Sequence, residues 1–257
     1  MPNYFVGVFT FLFGLCIGSF LNVCIFRLPA SKSITHPRSS CQNCGKQIRF
    51  YDNIPVLSYL LLKGRCRDCQ EPISMRYPIV EILGGLFALG AHVKYGLTLE
   101  ALIYFVFIAV LLVITFIDID HQIIPDIITL PGIPIFFIAG FALPRINFID
   151  SFLGILVGGG SLLLVAWTYH LITKKEGMGG GDIKLLAMIG AVTGWQGALF
   201  TIFVASAVGT LSGMLVMLKA RKSMKLAIPF GPFLAIGGIA YIFLGPQLVY
   251  WYFGLLR

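Results

Sequence analysis

Ala101-Leu-Ile-Tyr-Phe-Val-Phe-Ile-Ala-Val-Leu-Leu-Val-Ile-Thr-Phe-Ile-Asp118-Ile-Asp120-His121 decides the fold, because its first seventeen residues carry no charge and two aspartates then follow at once. A bilayer core takes roughly 20 mostly apolar residues per helical span, and only a helix satisfies its own backbone groups in that solvent. A transmembrane helix is therefore expected over 100–117. Working outward with the same ruler gives 4–26, 78–93, 127–143, 151–172, a short span near 183–193, 198–218 and 229–247. The expectation is an all-α polytopic membrane protein of about eight transmembrane helices, with no internal repeat.

Composition agrees with that class. The chain is 58% hydrophobic and 12% charged, against roughly 25% charged residues in soluble domains. Its 29 glycines suit helices that associate through close backbone approach. The formal charge of +8 fits basic loops and anionic lipid better than nucleic acid, so lipid is expected as a partner and nucleic acid is not. Tyr4 to Phe26 lacks the basic start and the small-residue cleavage site of a secretory signal, and is taken as a retained helix.

Three parts follow: a first transmembrane helix over 1–26, a polar cytoplasmic segment over 27–77, and a membrane domain over 78–257. The polar segment holds nine lysines and arginines, which places it in the cytoplasm by the positive-inside rule. Alternating crossings then put sixteen of the nineteen basic residues inside and leave Lys94, Arg145 and Arg257 outside. Both termini are expected outside.

Within 27–77, Cys41-Gln-Asn-Cys44 and Cys66-Arg-Asp-Cys69 form two C-x-x-C knuckles separated by 21 residues. Paired knuckles supply the four thiolates of a closed tetrahedral zinc site. Two disulfides are the competing pattern, but a reducing compartment disfavours them. A metal closed by four cysteines is structural, and it would staple a segment too small to hold itself by apolar burial. Cys16 and Cys24, in the first span, are ordinary buried thiols.

Carboxylates at membrane depth are costly and point to function. They concentrate at Asp118-Ile-Asp120-His121-Gln-Ile-Ile-Pro125-Asp126 and at Gly179-Gly-Gly181-Asp182-Ile-Lys184, both on the cytoplasmic side by the span count. Two carboxylates in contact share a proton and act as acid and base together. Asp118 and Asp182 are the candidate catalytic pair. Gly179 and Gly181 free the backbone at a helix start, and Asp126 and Lys184 are supporting candidates. Asp120 and Asp126 also suit loop or cap positions, His121 an interfacial one, and Asn22 an interhelical hydrogen bond. Glu81, just inside the second span, is a weaker substrate-binding candidate that could equally snorkel or pair with a lysine.

These residues resemble a known family. Gly18-Ser-Phe-Leu-Asn-Val-Cys-Ile-Phe-Arg-Leu-Pro29, the two knuckles, Asp52-Asn-Ile-Pro-Val-Leu-Ser58, Ile73-Ser-Met-Arg-Tyr-Pro-Ile-Val-Glu81, the Asp118 to Asp126 stretch, Gly179-Gly-Gly-Asp182-Ile-Lys-Leu185 and Pro229-Phe-Gly-Pro232 together are similar to the type IV prepilin peptidases of the aspartic G-x-G-D class. The likeness implies a bacterial inner-membrane enzyme with its active site facing the cytoplasm. It implies that Asp118 and Asp182 cut the basic leader of prepilins and type II secretion pseudopilins after a glycine. It further implies that the new N-terminal residue, usually phenylalanine, is N-methylated from S-adenosylmethionine, with the zinc-bearing segment tied to methylation. Gln42 stands where relatives often carry proline. No G-x-G-x-x-G follows an expected strand, so the residues themselves do not mark a donor site. An ion-coupled transporter and a zinc-ribbon membrane scaffold for pilus assembly are the rival classes. Paired repeats with interrupted helices would favour the first, and dispensable aspartates the second.

Overall fold

The computed structural model describes residues 3–175, 177–220 and 229–255. Arg221, Lys222, Lys225 and Arg257, counted above for orientation, lie outside the described residues. The long helices are α1 (Asn3–Arg27), α3 (Arg76–Tyr95), α4 (Leu99–His121), α5 (Asp126–Gly140), α6 (Phe148–Thr173), α7 (Gly180–Ala220) and α8 (Gly231–Leu255), with a short α2 (Leu57–Leu61) and a 3₁₀ turn over Phe50–Asn53 before it. Among the described residues there is no strand, only isolated bridges at Ser40–Gln47 and Arg65–Pro72.

Every expected span falls largely on helix, α5 ending three residues short of the expected 143, and the expected count of eight crossings is met in part by length and composition. Among the described residues, four helices are long and apolar enough to cross a membrane, within α1, α4, α6 and α7, and shorter apolar stretches occupy Asp126–Gly140 and Gly231–Gly245. The sixth and seventh expected spans run together as α7, interrupted only at Gly194, whose φ of +71° and ψ of −179° are non-helical. A polar loop is not needed to separate two helices when one glycine can take a left-handed φ.

The chain forms two compact units, Met1–Val113 and Ile114–Arg257. In the first, α1 packs on α3 with little between the backbones. A Cβ on Gly14 would lie 2.5 Å from the Gly84 carbonyl oxygen, and one on Gly18 would lie 2.6 Å from the Glu81 Cα. Asn22, which is buried, donates to the carbonyls of Gly18 (3.3 Å) and Tyr77 (3.1 Å), the interhelical role expected of it. Helix α3 ends at Gly96, which takes φ +72° and donates its N–H to His92.

In the second unit, α6 lies against α7 through Gly154, Gly158 and Gly190. A Cβ on Gly158 would meet the Leu186 carbonyl at 2.6 Å, and buried Ser151 donates to the Ala191 carbonyl at 2.7 Å. Small residues thus set the helix spacing, as association in lipid requires. Helix α4 stops where Gln122 turns left-handed (φ 55°) and donates its N–H to the Asp118 carbonyl (2.9 Å). The chain then needs only Ile123, Ile124 and Pro125 to enter α5.

Candidate active site and metal cluster

The two knuckles fold alike. Cys41 donates its N–H to Lys46 and accepts from Gly45, and Cys66 does the same with Glu71 and Gln70, at 2.8–3.0 Å. Ile48 and Ile73 close the two turns on Ser39 and Gly64, so each bond recurs 25 positions later. The expectation of no internal repeat is amended here: S-C-Q-N-C-G-K-Q-I and R-C-R-D-C-Q-E-P-I share only the cysteines and the isoleucine, and backbone pairing carries the rest. Left-handed φ at Gly45 (71°) and Gln70 (59°) tightens both turns.

The four Sγ atoms of Cys41, Cys44, Cys66 and Cys69 all lie within 4.8 Å of one another, and Cys41 and Cys69 are 3.8 Å apart. A tetrahedron with Zn–S bonds of ~2.3 Å has edges of roughly 3.8 Å, so the donor set fits a metal ion. N–H groups of Cys44 and Asn43 bring the Cys41 thiol down to about 7, whereas, against the Lys46 N–H, burial and the neighbouring Cys41 and Cys69 thiols push Cys44 up to about 11, so a metal binds the set by displacing protons. Charged pairs brace the segment. Arg67 holds Asp52 through two bonds of 2.6 and 2.8 Å and keeps that carboxyl below its usual range; Lys46 bridges to Asp68 at 3.0 Å.

Glu81 lies in this first unit. It is 7% exposed and accepts the Val56 N–H at 2.7 Å, so at least one of its oxygens serves the fold.

The second unit gathers the other candidates. Asp118, in the last turn of α4, is 5% exposed, and its Oδ2 accepts the N–H of Gly231 at the start of α8 (3.0 Å). Asp182 sits in the first turn of α7, where its N–H donates to Gly179 (3.2 Å), and its Oδ1 is buried with no hydrogen-bond partner among the described residues. The two carboxylates interact electrostatically. Ile124 packs between their supports: a Cβ on Gly181 would lie 2.7 Å from the Ile124 Cβ, and one on Gly231 would lie 3.1 Å from its Cδ1. Both glycines therefore let Ile124 pack closely, and Gly231 lets the Asp118 carboxylate do so as well.

Lys184 reaches both oxygens of Asp126 at 2.7 and 2.8 Å, tying the first turn of α7 to that of α5. Their side chains are 33% and 56% exposed, so the pair contributes under about 1 kcal/mol to stability, and its importance is geometric. A Cβ on Gly179 would lie 3.8 Å from Asp182 Oδ2, ordinary contact. Asp120 and His121 are exposed on the final turn of α4. Sequence reasoning assigned no role to Gly231 or Ile124. The signal for Gly231 was present in Pro229-Phe-Gly-Pro232, which turns the chain into a helix, but which N–H would meet Asp118 depends on tertiary packing.

Two family models match this chain: the bacterial peptidase A24 N-terminal domain over residues 12–95 and the type IV leader peptidase family over residues 105–214. Relatives named prepilin leader peptidase/N-methyltransferase include proteins of Pseudomonas putida (39% identical, covering 96% of this chain and 93% of the relative), Myxococcus xanthus (40%, 87% and 68%) and Pseudomonas aeruginosa (37%, 93% and 90%). No solved structure matches. With glycines closely flanking buried Asp118 and half-buried Asp182, a four-thiol cluster earlier in the sequence, and identity at this level along nearly the full length, the chain belongs to the type IV leader peptidase family.

Proposed function

We propose that this chain is a membrane aspartic peptidase that removes the basic leader of prepilins and pseudopilins and then N-methylates the residue it exposes. The carrying observation is that Asp118 and Asp182 come to a common neighbour, Ile124, which lies against Gly181 beside Asp182 and against Gly231, whose N–H anchors Asp118, while Asp182 keeps a buried oxygen still able to accept.

Two neighbouring carboxylates hold one proton between them. The ionised member takes a proton from a water molecule as that water attacks the scissile carbonyl, and the protonated member donates to the carbonyl oxygen. The tetrahedral intermediate collapses when the leaving amine is protonated, and the pair regains its starting state. Anchoring by Gly231 fixes the Asp118 carboxylate, leaving the bare Asp182 oxygen to hold the water. The N-terminal end of α7 adds partial positive charge beside Asp182, and the Lys184–Asp126 tie keeps that end in place.

Zinc is the metal we assign to the four cysteines, as a structural ion for the cytoplasmic domain over 27–77 and a requirement for methylation rather than cleavage. S-adenosylmethionine is the methyl donor that an N-methyltransferase of this kind uses. The described residues offer it no strand-to-helix glycine turn, so its contacts are unassigned. Eight crossings, with α7 counted as two, an inner-membrane location and a cytoplasmic active site are supported by the sixteen-to-three division of basic residues.

The test is direct. Purified protein is incubated with a membrane peptide bearing a basic leader, and the products are weighed. A shortened product is expected from the parent chain and none from the Asp118→Asn, Asp182→Asn double variant; product from the double variant overturns the reading. A mass gain of one methyl that requires S-adenosylmethionine reports the second activity.

A further inference from the structure

We propose that Phe50 and α2 form a foot lodged in the surface of an anionic bilayer, with phospholipid head groups held by Lys63 and Arg65. The proposal rests on the reading that α1 and α3 lie in the membrane.

Phe50 is 89% exposed and Leu61 73%, and Leu57 and Leu60 are exposed beside them, on two short helices that touch each other. Large apolar side chains gathered on an exposed surface mark a contact yet to be made. Their depth is set by one backbone bond. Val56, immediately before α2, donates its N–H to Glu81, and Glu81 lies five residues beyond Arg76, the first residue of α3, or about 7.5 Å along the helix axis. The chain that leaves α1 at Arg27 has therefore come back to the level of the first turns of α3. Ile79 and Ile82, which flank Glu81 on α3, are exposed at that same level, as side chains facing lipid would be.

The return is held against strain. Val56 has φ 61° and ψ −48°, and Leu57 donates its N–H to Pro55 at 2.6 Å. That is a γ-turn of the rarer hand, costly at a β-branched residue. Buried Ser58 braces it by accepting from Ile54 (3.1 Å) and donating to the Tyr51 carbonyl (2.9 Å). Such strain persists only where surroundings over-determine it, and here it keeps the foot at one height.

Charge identifies the surface. Seven lysines and arginines face three acidic residues over 28–75, and exposed Lys63 and Arg65 follow α2 directly. Apolar residues at the acyl boundary with cations at head-group level are the signature of interfacial binding to anionic lipid.

The experiment uses the full chain in vesicles of phosphatidylglycerol and phosphatidylcholine carrying brominated acyl chains, which quench nearby tryptophan. Leu61→Trp adds a reporter on the foot and Asn43→Trp one on a knuckle, and each is compared with the parent protein, whose own tryptophans report insertion of the helices. The proposal expects added fluorescence that is quenched at Leu61 and unquenched at Asn43. Neutralising Lys63 or Arg65 should shift the docked-to-free ratio about fivefold per charge. Unquenched Leu61→Trp emission overturns the foot while quenched native tryptophans leave the membrane reading standing. Equal quenching in phosphatidylcholine alone overturns the anionic assignment. Should Leu61→Trp fail to fold, hydrogen exchange of the unsubstituted chain over 57–62 decides instead: slower exchange in anionic than in neutral nanodiscs supports the proposal, and equal rates sink it.

Discussion

Replacing Gly231 by alanine places a methyl carbon 2.6 Å from Oδ2 and 3.3 Å from Cγ of Asp118, with the Ile124 Cδ1 closing the far side at 3.1 Å. The methyl and the carboxylate cannot both keep their positions, so the 3.0 Å bond from the Gly231 N–H must lengthen or break. A hydrogen bond to an ionised group contributes about 1.5–3 kcal/mol net. At one decade in rate per ~1.4 kcal/mol, Gly231→Ala should lower kcat/KM for leader cleavage roughly 10- to 100-fold. The assay follows leader release from a purified prepilin, with methylation of an already cleaved pilin as an internal control expected to stay at its parent level. Gly160→Ala is the matched control, because a Cβ there meets nothing within 4 Å, and its cleavage rate should be unchanged. Parent-level cleavage by Gly231→Ala would show that the position of Asp118 does not matter to the chemistry, and the assignment of the pair would fall with it.

Four other outcomes follow from the same geometry. Asp118→Asn and Asp182→Asn, made singly, should each abolish cleavage with abundance intact, measured by product mass and by protein level. Removing the metal with a chelator, or replacing Cys41 by serine, should raise proteolytic nicking over 41–69 and end methylation while cleavage continues; unchanged nicking would mean that the cluster braces nothing. Gly154→Val drives a branched side chain into the Gly190 backbone, and overpacking of this kind costs about 1–3 kcal/mol or more, to be seen as a lower melting temperature in detergent. The lowered carboxyl of Asp52 gives a signed pH effect. A depressed pKa contributes stability above the free value of about 4 and loses it as pH falls through the folded value. The difference in hydrogen exchange over 49–56 between the parent and Asp52→Asn should therefore be full at neutral pH and vanish in acid.

Much of this architecture was legible in the sequence, for identifiable reasons. The span over 100–117 was unmistakable because apolar length is a sufficient condition for a helix in lipid. The cysteines announced their cluster because ligand spacing is itself the geometry of the site. Asp118 and Asp182 stood out because charge is rare at membrane depth. Other features lie beyond a linear pattern. Gly194 replaces an expected loop by a single dihedral angle, and nothing in its neighbours distinguishes it from the packing glycines of α7. The twin knuckles were hidden because their likeness is carried by backbone bonds, which any side chain permits. Gly231 and Ile124 acquire their roles only when α4, α7 and α8 converge, and Glu81 turned out to hold Val56 because a strained turn came within its reach.

The interruption of α7 at Gly194 has a bearing on how solvent reaches the pair. The piece that carries Asp182 runs over residues 180–193, about 21 Å at 1.5 Å per residue, and α5 beside it, Asp126–Gly140, is scarcely longer. Hydrocarbon is ~30 Å thick. Two adjacent rods that fall short of it produce hydrophobic mismatch, which the bilayer relieves by thinning around them. With these two helices crossing as the proposed topology has them, a depressed lipid surface above Asp118 and Asp182 would bring the aqueous phase down to the carboxylates and make lipid thickness itself a determinant of the site.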